Sequence, residues 1–346
     1  MKLLLVSVKS TVSRGGIAVW TDRFLQACRE RGVECLLVNT EAVGKRATQL
    51  NARRNPWDEA TRTLRIFREL KVQLKEKPQV AHINTSCGTF GLFRDYLVAR
   101  KIRRAGVKLI THYHCDIPYW VHNRLSLRFL KKLAGGSAQN LVLNESSRTF
   151  LRENFGLEST LLPNYLETEQ IGEPKTQVSP KLQTALYVGR VEVAKGSREL
   201  YDTALRCPEI QFLLIGELSP DAKDWQVPEN VRLLGAMPHD RVLEKLEQAD
   251  VFFFPSHSEG CSVALLEAAA RGLPMIATDV GANRDIVGKA GVVVSVGDVD
   301  GMVSALAQLD APETRQRMSE AAVAHIHENY SVTQLDKLFG IYRELV

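Results

Sequence analysis

Short apolar segments alternate with amphipathic helical stretches along nearly the whole chain, and this alternation limits the fold more than any other feature. Predicted strands of the first half lie at 3–8, 33–38, 80–84, 108–113, 140–143 and 160–162. Those of the second half lie at 185–188, 210–215, 231–234, 251–254, 275–278 and 292–296. Helical periodicity fills the intervals between them. The pattern predicts an α/β protein with mostly parallel sheets that are covered by helices on both faces.

A polar stretch with little periodicity separates the two halves. We predict a first Rossmann-like domain over 1–166, a linker over 167–183 and a second domain from 184 onward, with helix from about 313 to the end. In such sheets ligands bind beyond the carboxyl ends of the strands. The expected site is therefore a cleft between the two halves, lined by the loops that follow strands.

The charge of the chain is unevenly distributed. Residues 1–164 contain 28 Lys/Arg and 13 Asp/Glu, a net +15, whereas residues 165–346 contain 17 and 27, a net −10. The asymmetry indicates an anionic partner for the first half, namely a membrane surface, a nucleic acid or a phosphorylated substrate. Solvated helix faces are the alternative for each cluster. The clusters are Arg53/Arg54/Arg62/Arg65/Arg68, Arg100/Lys101/Arg103/Arg104 and Arg124/Arg128/Lys131/Lys132.

Other features of the composition indicate a cytoplasmic protein. No apolar run approaches the roughly 18 residues of a membrane span. The segment Met1 to Val8 is predicted to be a strand rather than a signal peptide, since no small-residue cleavage site follows it. The six cysteines form no C-x-x-C pair and have no metal-ligand spacing, so we expect all of them to be reduced.

The segment from Pro255 to Pro274 carries the most distinctive pattern of carboxylates. It follows a buried strand and contains a polar loop with Glu259, then a helix from about Ser262 that contains Glu267. The start of a helix binds anions through free backbone N–H groups and the helix dipole. Carboxylates accept hydrogen bonds from sugar hydroxyls, so the segment suits a ligand with both a diphosphate and sugar rings. The alternative is two exposed glutamates without a ligand.

Three other loops follow strands and carry candidate residues. The loop from Ser13 to Trp20 contains Gly15 and Gly16, which allow close backbone approach to a ligand, although a flexible turn is the alternative. The absence of G-x-G-x-x-G and of an acidic residue after the second strand disfavours a nicotinamide dehydrogenase. His112 and His114 lie on the same side of their strand, and no further cluster completes a metal site. One of them is predicted to serve in hydrogen bonding or acid–base chemistry, and the other is as readily structural.

The loop from Tyr187 to Gly196 brings two cations to the start of a helix. Arg190 and Lys195 are suited to stabilising a departing diphosphate, although surface cations are common. The D-x-D sequence from Asp298 to Asp300 is typical of metal–nucleotide sites. It precedes a helical stretch, so we interpret it as a helix cap.

Three elements of the second half together resemble the retaining glycosyltransferases of family 4. They are the loop with Arg190 and Lys195, the Pro255 to Pro274 segment with Glu259 and Glu267, and Ile276 to Gly281 (IATDVG). The resemblance spans nearly the whole chain and is most specific in the second half. It implies the GT-B fold, two facing Rossmann-like domains with a C-terminal helix that crosses back to the first domain. On that basis the second domain covers 184–330 and the helix 331–346. The chain departs from the family pattern at two places. Ile215 to Leu218 lacks the usual glycine pair, and Cys261 replaces a commoner apolar residue.

The resemblance also implies a role for each candidate residue of the second half. Glu267 would accept hydrogen bonds from the ribose of a nucleotide sugar, and Glu259 would hold the transferred sugar. Arg190 and Lys195 would stabilise the leaving diphosphate. Further donor contacts would come from the backbone amides of Gly260, Cys261, Ser262 and Val263.

In the first half, Gly15 and Gly16 would lie beside the phosphates. His114 matches the histidine near the primary hydroxyl of the sugar, although His112 is its neighbour and the sequence does not decide between them. The acceptor would attack on the face that the diphosphate leaves, and that phosphate would take the proton. The configuration would be retained without any metal or cofactor.

The predicted protein is thus a cytoplasmic glycosyltransferase, peripheral at the inner face of a membrane. It would move a sugar from a nucleotide diphosphate sugar to a lipid-linked or glycan acceptor in the synthesis of surface polysaccharide or glycolipid. We expect an anionic membrane surface as a partner, and no nucleic acid. The alternatives are a soluble transferase with a small acceptor and a catalytically silent GT-B subunit that binds a partner.

Overall fold

The computed structural model describes residues 1–9, 15–42 and 55–346. Part of the Ser13 to Trp20 loop, together with Arg53 and Arg54 of the first basic cluster, therefore lies outside the described residues. The chain divides into two compact units. The first comprises Met1–Leu162 and Lys337–Val346, and the second comprises Pro163–Asp336.

The alternation of strands and helices is confirmed, and every predicted strand is present to within two residues. The strands are β1 (Lys2–Ser7), β2 (Glu34–Asn39), β3 (Val80–Thr85), β4 (Lys108–Tyr113), β5 (Gln139–Val142), β6 (Thr160–Leu161), β7 (Thr184–Val188), β8 (Gln211–Ile215), β9 (Val231–Gly235), β10 (Val251–Phe254), β11 (Met275–Thr278) and β12 (Gly291–Val294). The α-helices of the described residues are α1 (Gly16–Glu30), α2 (Pro56–Gln73), α3 (Thr89–Arg104), α4 (Ile117–Trp120), α5 (Arg124–Ala134), α6 (Glu145–Phe155), α7 (Ser197–Arg206), α8 (His239–Gln248), α9 (Val263–Ala270), α10 (Asn283–Val287), α11 (Val299–Gln308), α12 (Pro312–Asn329) and α13 (Thr333–Leu345). The short helices α4 and α10 were not predicted, because about one turn is too short to show a period.

The first unit contains a parallel sheet with the strand order β2-β1-β3-β4-β5-β6. Its central strands are buried on both sides, which explains why they read as continuous apolar runs. One face packs against α1 and the end of α13, where Phe24 stacks on Phe339 with 5.9 Å between ring centroids. Helices α2, α3, α5 and α6 cover the opposite face and share one apolar cluster with it.

The second unit contains another parallel sheet, with the order β12-β11-β10-β7-β8-β9. The strand order reverses between β7 and β10. Ligands of open α/β sheets bind beyond the carboxyl ends of the strands at such a reversal, because the flanking helices there lie on opposite faces and leave a crevice. The loops after β7 and β10 are the two that carry Lys195 and Glu259.

The segment 163–183 belongs to the second unit, whereas the sequence analysis placed 163–166 in the first domain and 167–183 in a linker. Hydrogen bonds hold it there. The N–H of Leu166 donates to the carbonyl of Tyr330 at 2.8 Å, and the N–H of Gly172 donates to the carbonyl of Ala270 at 2.9 Å. The N–H of Lys175 donates to Ser319 Oγ at 2.8 Å. A polar composition did not reveal these contacts, because they use backbone groups.

Two of the six cysteines are not reduced. Cys87 follows β3 and Cys115 follows β4, and the two form a disulfide with a Cα–Cα distance of 6.4 Å. The expectation that all cysteines are reduced is therefore wrong for this pair. Adjacent parallel strands bring their ends together, which a spacing of 28 residues does not show. Cys28, Cys35, Cys207 and Cys261 are free thiols.

Candidate active site

Lys195 and Glu259 form an ion pair at the strand reversal of the second unit. The ammonium nitrogen of Lys195 lies 2.5 Å from Glu259 Oε1, and Ser256 Oγ donates to the same oxygen at 2.8 Å. Both charged side chains are largely buried, with 24% and 12% of their surface exposed. The pair orients the Glu259 carboxylate, while an ammonium group has two further N–H donors for other oxygens. Two of the loops that follow strands are thus in direct contact.

Gly196 allows the two loops to meet. Its φ is +70°, and a Cβ at this position would lie 1.8 Å from the carbonyl oxygen of Pro255. The N–H of His257 also donates to the carbonyl of Ala194 at 3.1 Å. The turn that presents Lys195 is therefore packed directly on the backbone that leads to Glu259.

Arg190 lies in the same loop and is held by a neighbouring carboxylate. Its guanidinium donates to Glu192 Oε1 at 3.0 Å, and its carbonyl accepts a hydrogen bond from Tyr187 Oη at 2.7 Å. Burial raises the pKa of Tyr187 far above its ordinary value, and the carboxylates Glu259 and Glu192 raise it further. The phenol consequently stays protonated and serves as a donor to the loop.

The start of α9 follows Glu259 and presents backbone donors. Ser262 is the N-cap, as predicted, and its hydroxyl accepts from the N–H of Leu265 at 3.3 Å. Among the described residues, no acceptor takes the N–H of Cys261, Ser262 or Val263. Three donors at a helix N-terminus form a site for an oxyanion. Burial raises the pKa of the Cys261 thiol to about 12, so this side chain is a neutral part of the loop.

Glu267 lies in the second turn of α9 and is 8% exposed. Its Oε1 is 2.9 Å from Nε2 of His239, the first residue of α8. His239 is half exposed and was not singled out from the sequence, because nothing in a separation of 28 residues indicates the contact. The structure thus adds an imidazole beside the carboxylate that is predicted to bind a ribose.

The segment Ile276 to Gly281 supports the Glu259 loop from β11. The hydroxyl of Thr278 donates to the carbonyl of Ser256, and the N–H of Ala282 donates to the carbonyl of Gly260 at 3.0 Å. Gly281 has φ +54°, and a Cβ there would lie 2.0 Å from the carbonyl oxygen of Glu259. The Lys195 turn and the Ile276 to Gly281 segment therefore both pack against the loop that carries Glu259.

A second pair of residues that the sequence did not reveal joins the same loops. His257 Nε2 lies 2.8 Å from Glu199 Oε1, and both side chains are largely buried. Glu199 lies in the first turn of α7, just after Lys195. The pair links the helix that follows the Lys195 turn to the loop that carries Glu259.

In the first unit, Gly15 is the N-cap of α1 and Gly16 its first residue. A Cβ at either glycine would meet no atom of the described residues within 4 Å. The fold of this unit therefore does not demand glycine here for reasons of space. The two glycines lie in the unit that also carries His112 and His114.

His112 and His114 project to the same side of β4, as the alternation predicts, and both contact Trp20 of α1. Their ring centroids are 4.1 Å apart. His112 is fully buried and its Nε2 donates to the carbonyl of Leu162 at 3.1 Å. The side chain of His114 is partly exposed as a whole, but its Nε2 atom is buried and has no hydrogen-bond partner among the described residues. Nδ1 of His112 also lacks a partner among the described residues, but its Nε2 is engaged by Leu162, so we take His114 as the better candidate for a ligand.

His82 completes a buried histidine cluster, with its Nδ1 2.6 Å from Tyr342 Oη of α13. Burial lowers the pKa of His112 to about 3 and lowers the pKa values of His82 and His114 well below 6.5. For the latter two, the neighbouring histidines lower the pKa further.

Because of this cluster, we expect the free energy of unfolding to decrease as the pH is lowered below about 6.5. The contribution is complete above about pH 6.5, where the histidines are neutral in both states, and is lost as the pH falls toward the folded-state values. Below about pH 6.5 these histidines are protonated in the unfolded chain and stay neutral in the folded chain. Each histidine then removes about 1.4 kcal/mol per pH unit. Urea unfolding at several pH values should show the slope, and His112→Gln should reduce it by about one proton. The same slope in both proteins would contradict the assignment.

The D-x-D sequence is a helix cap, as interpreted. Asp298 Oδ1 accepts from the N–H of Gly301 at 2.8 Å, and Asp300 pairs with Arg206 at 2.7 Å. Residues 1–9, 15–42 and 55–346 contain no cluster of three or more His, Cys, Asp or Glu side chains arranged to hold a metal ion.

No helix in the described part of the chain has both the length and the apolar character needed to cross a membrane.

Comparison with known proteins identifies the family. Residues 14–170 match the family described as Glycosyltransferase Family 4, and residues 183–311 match the family described as Glycosyl transferases group 1. The structure is similar to that of sucrose-phosphate synthase from Thermosynechococcus elongatus, with a TM-score of 0.81 at 17% identity over 100% of this chain and 99% of that chain. This likeness confirms the predicted GT-B fold class.

Curated relatives agree at the level of sequence. A glycogen synthase from Mycobacterium tuberculosis is 33% identical over 150 residues, which are 40% of this chain and 36% of that protein. A GDP-mannose-dependent monoacylated alpha-(1-6)-phosphatidylinositol monomannoside mannosyltransferase from Corynebacterium glutamicum is 32% identical over 137 residues, 36% of either chain. Each match spans about a third of the relative's own length. The chain belongs to glycosyltransferase family 4, among the group 1 glycosyl transferases.

Proposed function

We propose that this protein transfers a sugar from a nucleotide diphosphate sugar to a lipid-linked or polysaccharide acceptor, with retention of configuration and without a metal ion. The observation that carries the proposal is the ion pair of Lys195 and Glu259 beside the open backbone donors at the start of α9. Cations, an ionised carboxylate and oriented amides within one compact unit are what a ligand with a diphosphate and a sugar requires.

The contacts divide the donor into three parts. Glu267 accepts hydrogen bonds from the ribose, and the neighbouring His239 helps to fix its carboxylate. The diphosphate binds the N–H groups of Cys261 to Val263 together with Arg190 and Lys195. Glu259 accepts hydrogen bonds from hydroxyls of the transferred sugar, since Lys195 and Ser256 engage only one of its oxygens.

The same contacts favour chemistry in which no protein carboxylate attacks the sugar. A carboxylate that is neutralised by an ammonium at 2.5 Å is a weak nucleophile and a good hydrogen-bond acceptor. As the bond from the sugar to the diphosphate breaks, negative charge grows on the phosphate, where Lys195 and Arg190 stabilise it. The acceptor hydroxyl then attacks on the face that the phosphate leaves, and a phosphate oxygen takes its proton.

The first unit contributes His114 and the Gly15-Gly16 turn to this proposal. The free Nε2 of His114 would hydrogen-bond the primary hydroxyl of the sugar. The open space beside the two glycines would admit phosphate oxygens. These roles are carried over from the resemblance to the family.

For the acceptor we favour a lipid-linked or glycan molecule of a cell-surface polysaccharide, reached by peripheral association with an anionic membrane. The net +15 of residues 1–164 supports this choice. A relative whose name gives a phosphatidylinositol mannoside as its acceptor supports it as well.

Donor binding is tested by thermal unfolding in the presence of UDP-, GDP- and ADP-sugars. A ligand at about 100 times its Kd stabilises the folded state by about 2.7 kcal/mol, which for a unit of this size raises the unfolding temperature by about 5–10 °C. We expect one nucleotide class to give this shift and Glu267→Ala to abolish it. Glu247→Ala, at an exposed glutamate of α8, is the matched control. Shifts that are equal in Glu267→Ala and the wild type would contradict the ribose assignment.

A further inference from the structure

Two helices of the first unit form a continuous surface whose composition has no role in the proposed donor site. Helices α3 and α5 follow the adjacent parallel strands β3 and β4, so both begin at the same edge of the sheet and run side by side. Phe93 of α3 and Phe129 of α5 pack with 5.0 Å between ring centroids. At the helix starts, Asn123 Nδ2 donates to Thr89 Oγ1 at 3.2 Å.

The surface carries an excess of positive charge. Residues 89–134 contain ten Lys/Arg and two Asp, and one of the two, Asp95, is buried in an ion pair with Arg94 at 2.8 Å. Six further cations occupy the later turns of the two helices and have no carboxylate partner among the described residues. We call them the basic ridge: Arg100, Arg103, Arg104, Arg128, Lys131 and Lys132. Because no acidic side chain neutralises it, the ridge presents its charge to whatever lies outside.

Large apolar side chains are exposed at the opposite end of the same helices. We call them the apolar rim: Phe90 (65% exposed), Phe93 (43%), Tyr119 (48%), Trp120 (47%) and Leu125 (58%). They lie in the first turns of α3 and α5 and in α4, all at the carboxyl edge of the sheet. Isolated exposed apolar residues are ordinary, but a group beside a cationic ridge indicates an interaction surface.

We propose that the apolar rim and the basic ridge dock the protein onto an anionic lipid bilayer, with the rim inserted at the level of the headgroups and the ridge against the lipid phosphates. Tryptophan and tyrosine favour this interfacial depth, and phenylalanine and leucine reach the acyl chains. Stable peripheral binding requires two contributions, burial of apolar side chains and electrostatic attraction to anionic lipids. The apolar rim supplies the first and the basic ridge supplies the second.

Charge complementarity decides between this partner and others. The core of a protein–protein interface is depleted of charged residues, whereas six cations lie within this surface. A nucleic acid would use the ridge but would leave the exposed side chains of Leu125 and Trp120 in water. The docking rests on the peripheral membrane association in the proposed function and assigns it to named residues, and it can be measured without any donor or acceptor. Its failure is therefore distinguishable from failure of the proposed function.

The test is co-sedimentation of the full chain with vesicles of phosphatidylcholine, with and without phosphatidylglycerol. Arg128→Ser/Lys131→Ser/Lys132→Ser removes three cations of the ridge, and Lys223→Ser/Arg232→Ser/Lys289→Ser removes three exposed cations of the second unit. Both triple variants change the net charge equally. We expect binding that needs phosphatidylglycerol, a loss of about 100-fold in the ridge variant and a change of less than about threefold in the control.

The rim is tested separately. Phe90→Ser/Leu125→Ser replaces its two most exposed members, and we expect binding about tenfold weaker even at high salt, where electrostatic attraction is screened. In a Trp57→Phe protein, vesicles with brominated acyl chains should quench the fluorescence, and the additional change Trp120→Phe should remove most of that quenching. All substituted positions are exposed, and circular dichroism verifies that each variant is folded.

Three binding outcomes and one fluorescence outcome would overturn the proposal. One is equal binding to vesicles with and without phosphatidylglycerol, and another is an equal loss in the ridge variant and the control. The third is binding to an RNA homopolymer together with none to anionic vesicles. Unquenched Trp120 fluorescence in a protein that does bind would show that the rim is not the inserted part.

Discussion

Replacing Lys195 by alanine is expected to lower kcat for sugar transfer by about 10²–10³-fold in a protein that remains folded. Removal of one oriented donor from a developing oxyanion costs this much in other enzymes, because a preorganised charge stabilises the transition state more than the ground state. The ammonium of Lys195 is held by Glu259 before any donor binds, so it is preorganised in this sense. Steady-state kinetics with the donor identified by thermal unfolding measures the effect.

A double variant separates catalysis from structure. Lys195→Ala leaves the Glu259 carboxylate largely buried without its cation, which by itself disturbs the loop. Glu259→Gln removes that charge, so in Lys195→Ala/Glu259→Gln the stability lost in the single variant should return. If Lys195 stabilises the leaving diphosphate, transfer should stay at the low level of Lys195→Ala. Recovery of both stability and transfer in the double variant would falsify the catalytic role.

The sequence predicted the fold well because parallel strands buried on both faces read as uninterrupted apolar runs. Val251 to Phe254 is one such run, and it became the central strand β10. The position of the candidate site followed as well, since loops after the strands at a reversal share one edge of the sheet. The Glu259 and Lys195 loops both follow strands, as the sequence indicated, and the strand order that brings them into contact is known only from the structure.

Contacts between side chains distant in sequence were not predictable. The contacts of His239 with Glu267 and of His257 with Glu199 depend on where α8 and α7 begin in the folded structure, since His239 and Glu199 lie in the first turns of these helices. The Cys87–Cys115 disulfide depends in the same way on the register of β3 and β4. The segment 167–183 looked like a linker because backbone N–H groups such as those of Gly172 and Lys175 make part of its hydrogen bonds, and these leave no trace in composition.

Alanine is expected to have opposite effects on stability at Gly196 of the second unit and at Gly16 of the first. Gly196→Ala should destabilise the second unit by about 2–4 kcal/mol, because φ is +70° and the added Cβ would meet the carbonyl of Pro255, a backbone atom that cannot move aside. Relief of the clash must separate the two loops and with them Lys195 and Glu259. We therefore expect transfer to be lost as well, measured on protein that is still folded at low temperature.

Gly16→Ala is the matched control for stability. No atom in the part of the chain that the structure describes lies within 4 Å of the added Cβ, and alanine favours the first turn of α1 by about 0.5–1 kcal/mol over glycine. Its unfolding midpoint should be unchanged or higher. If donor phosphates occupy the open space beside Gly16, the KM for the donor should nevertheless rise. A Gly16→Ala protein with wild-type kinetics would remove Gly16 from the donor site, and a stable Gly196→Ala protein would show that the loop packing around Lys195 is not the constraint described here.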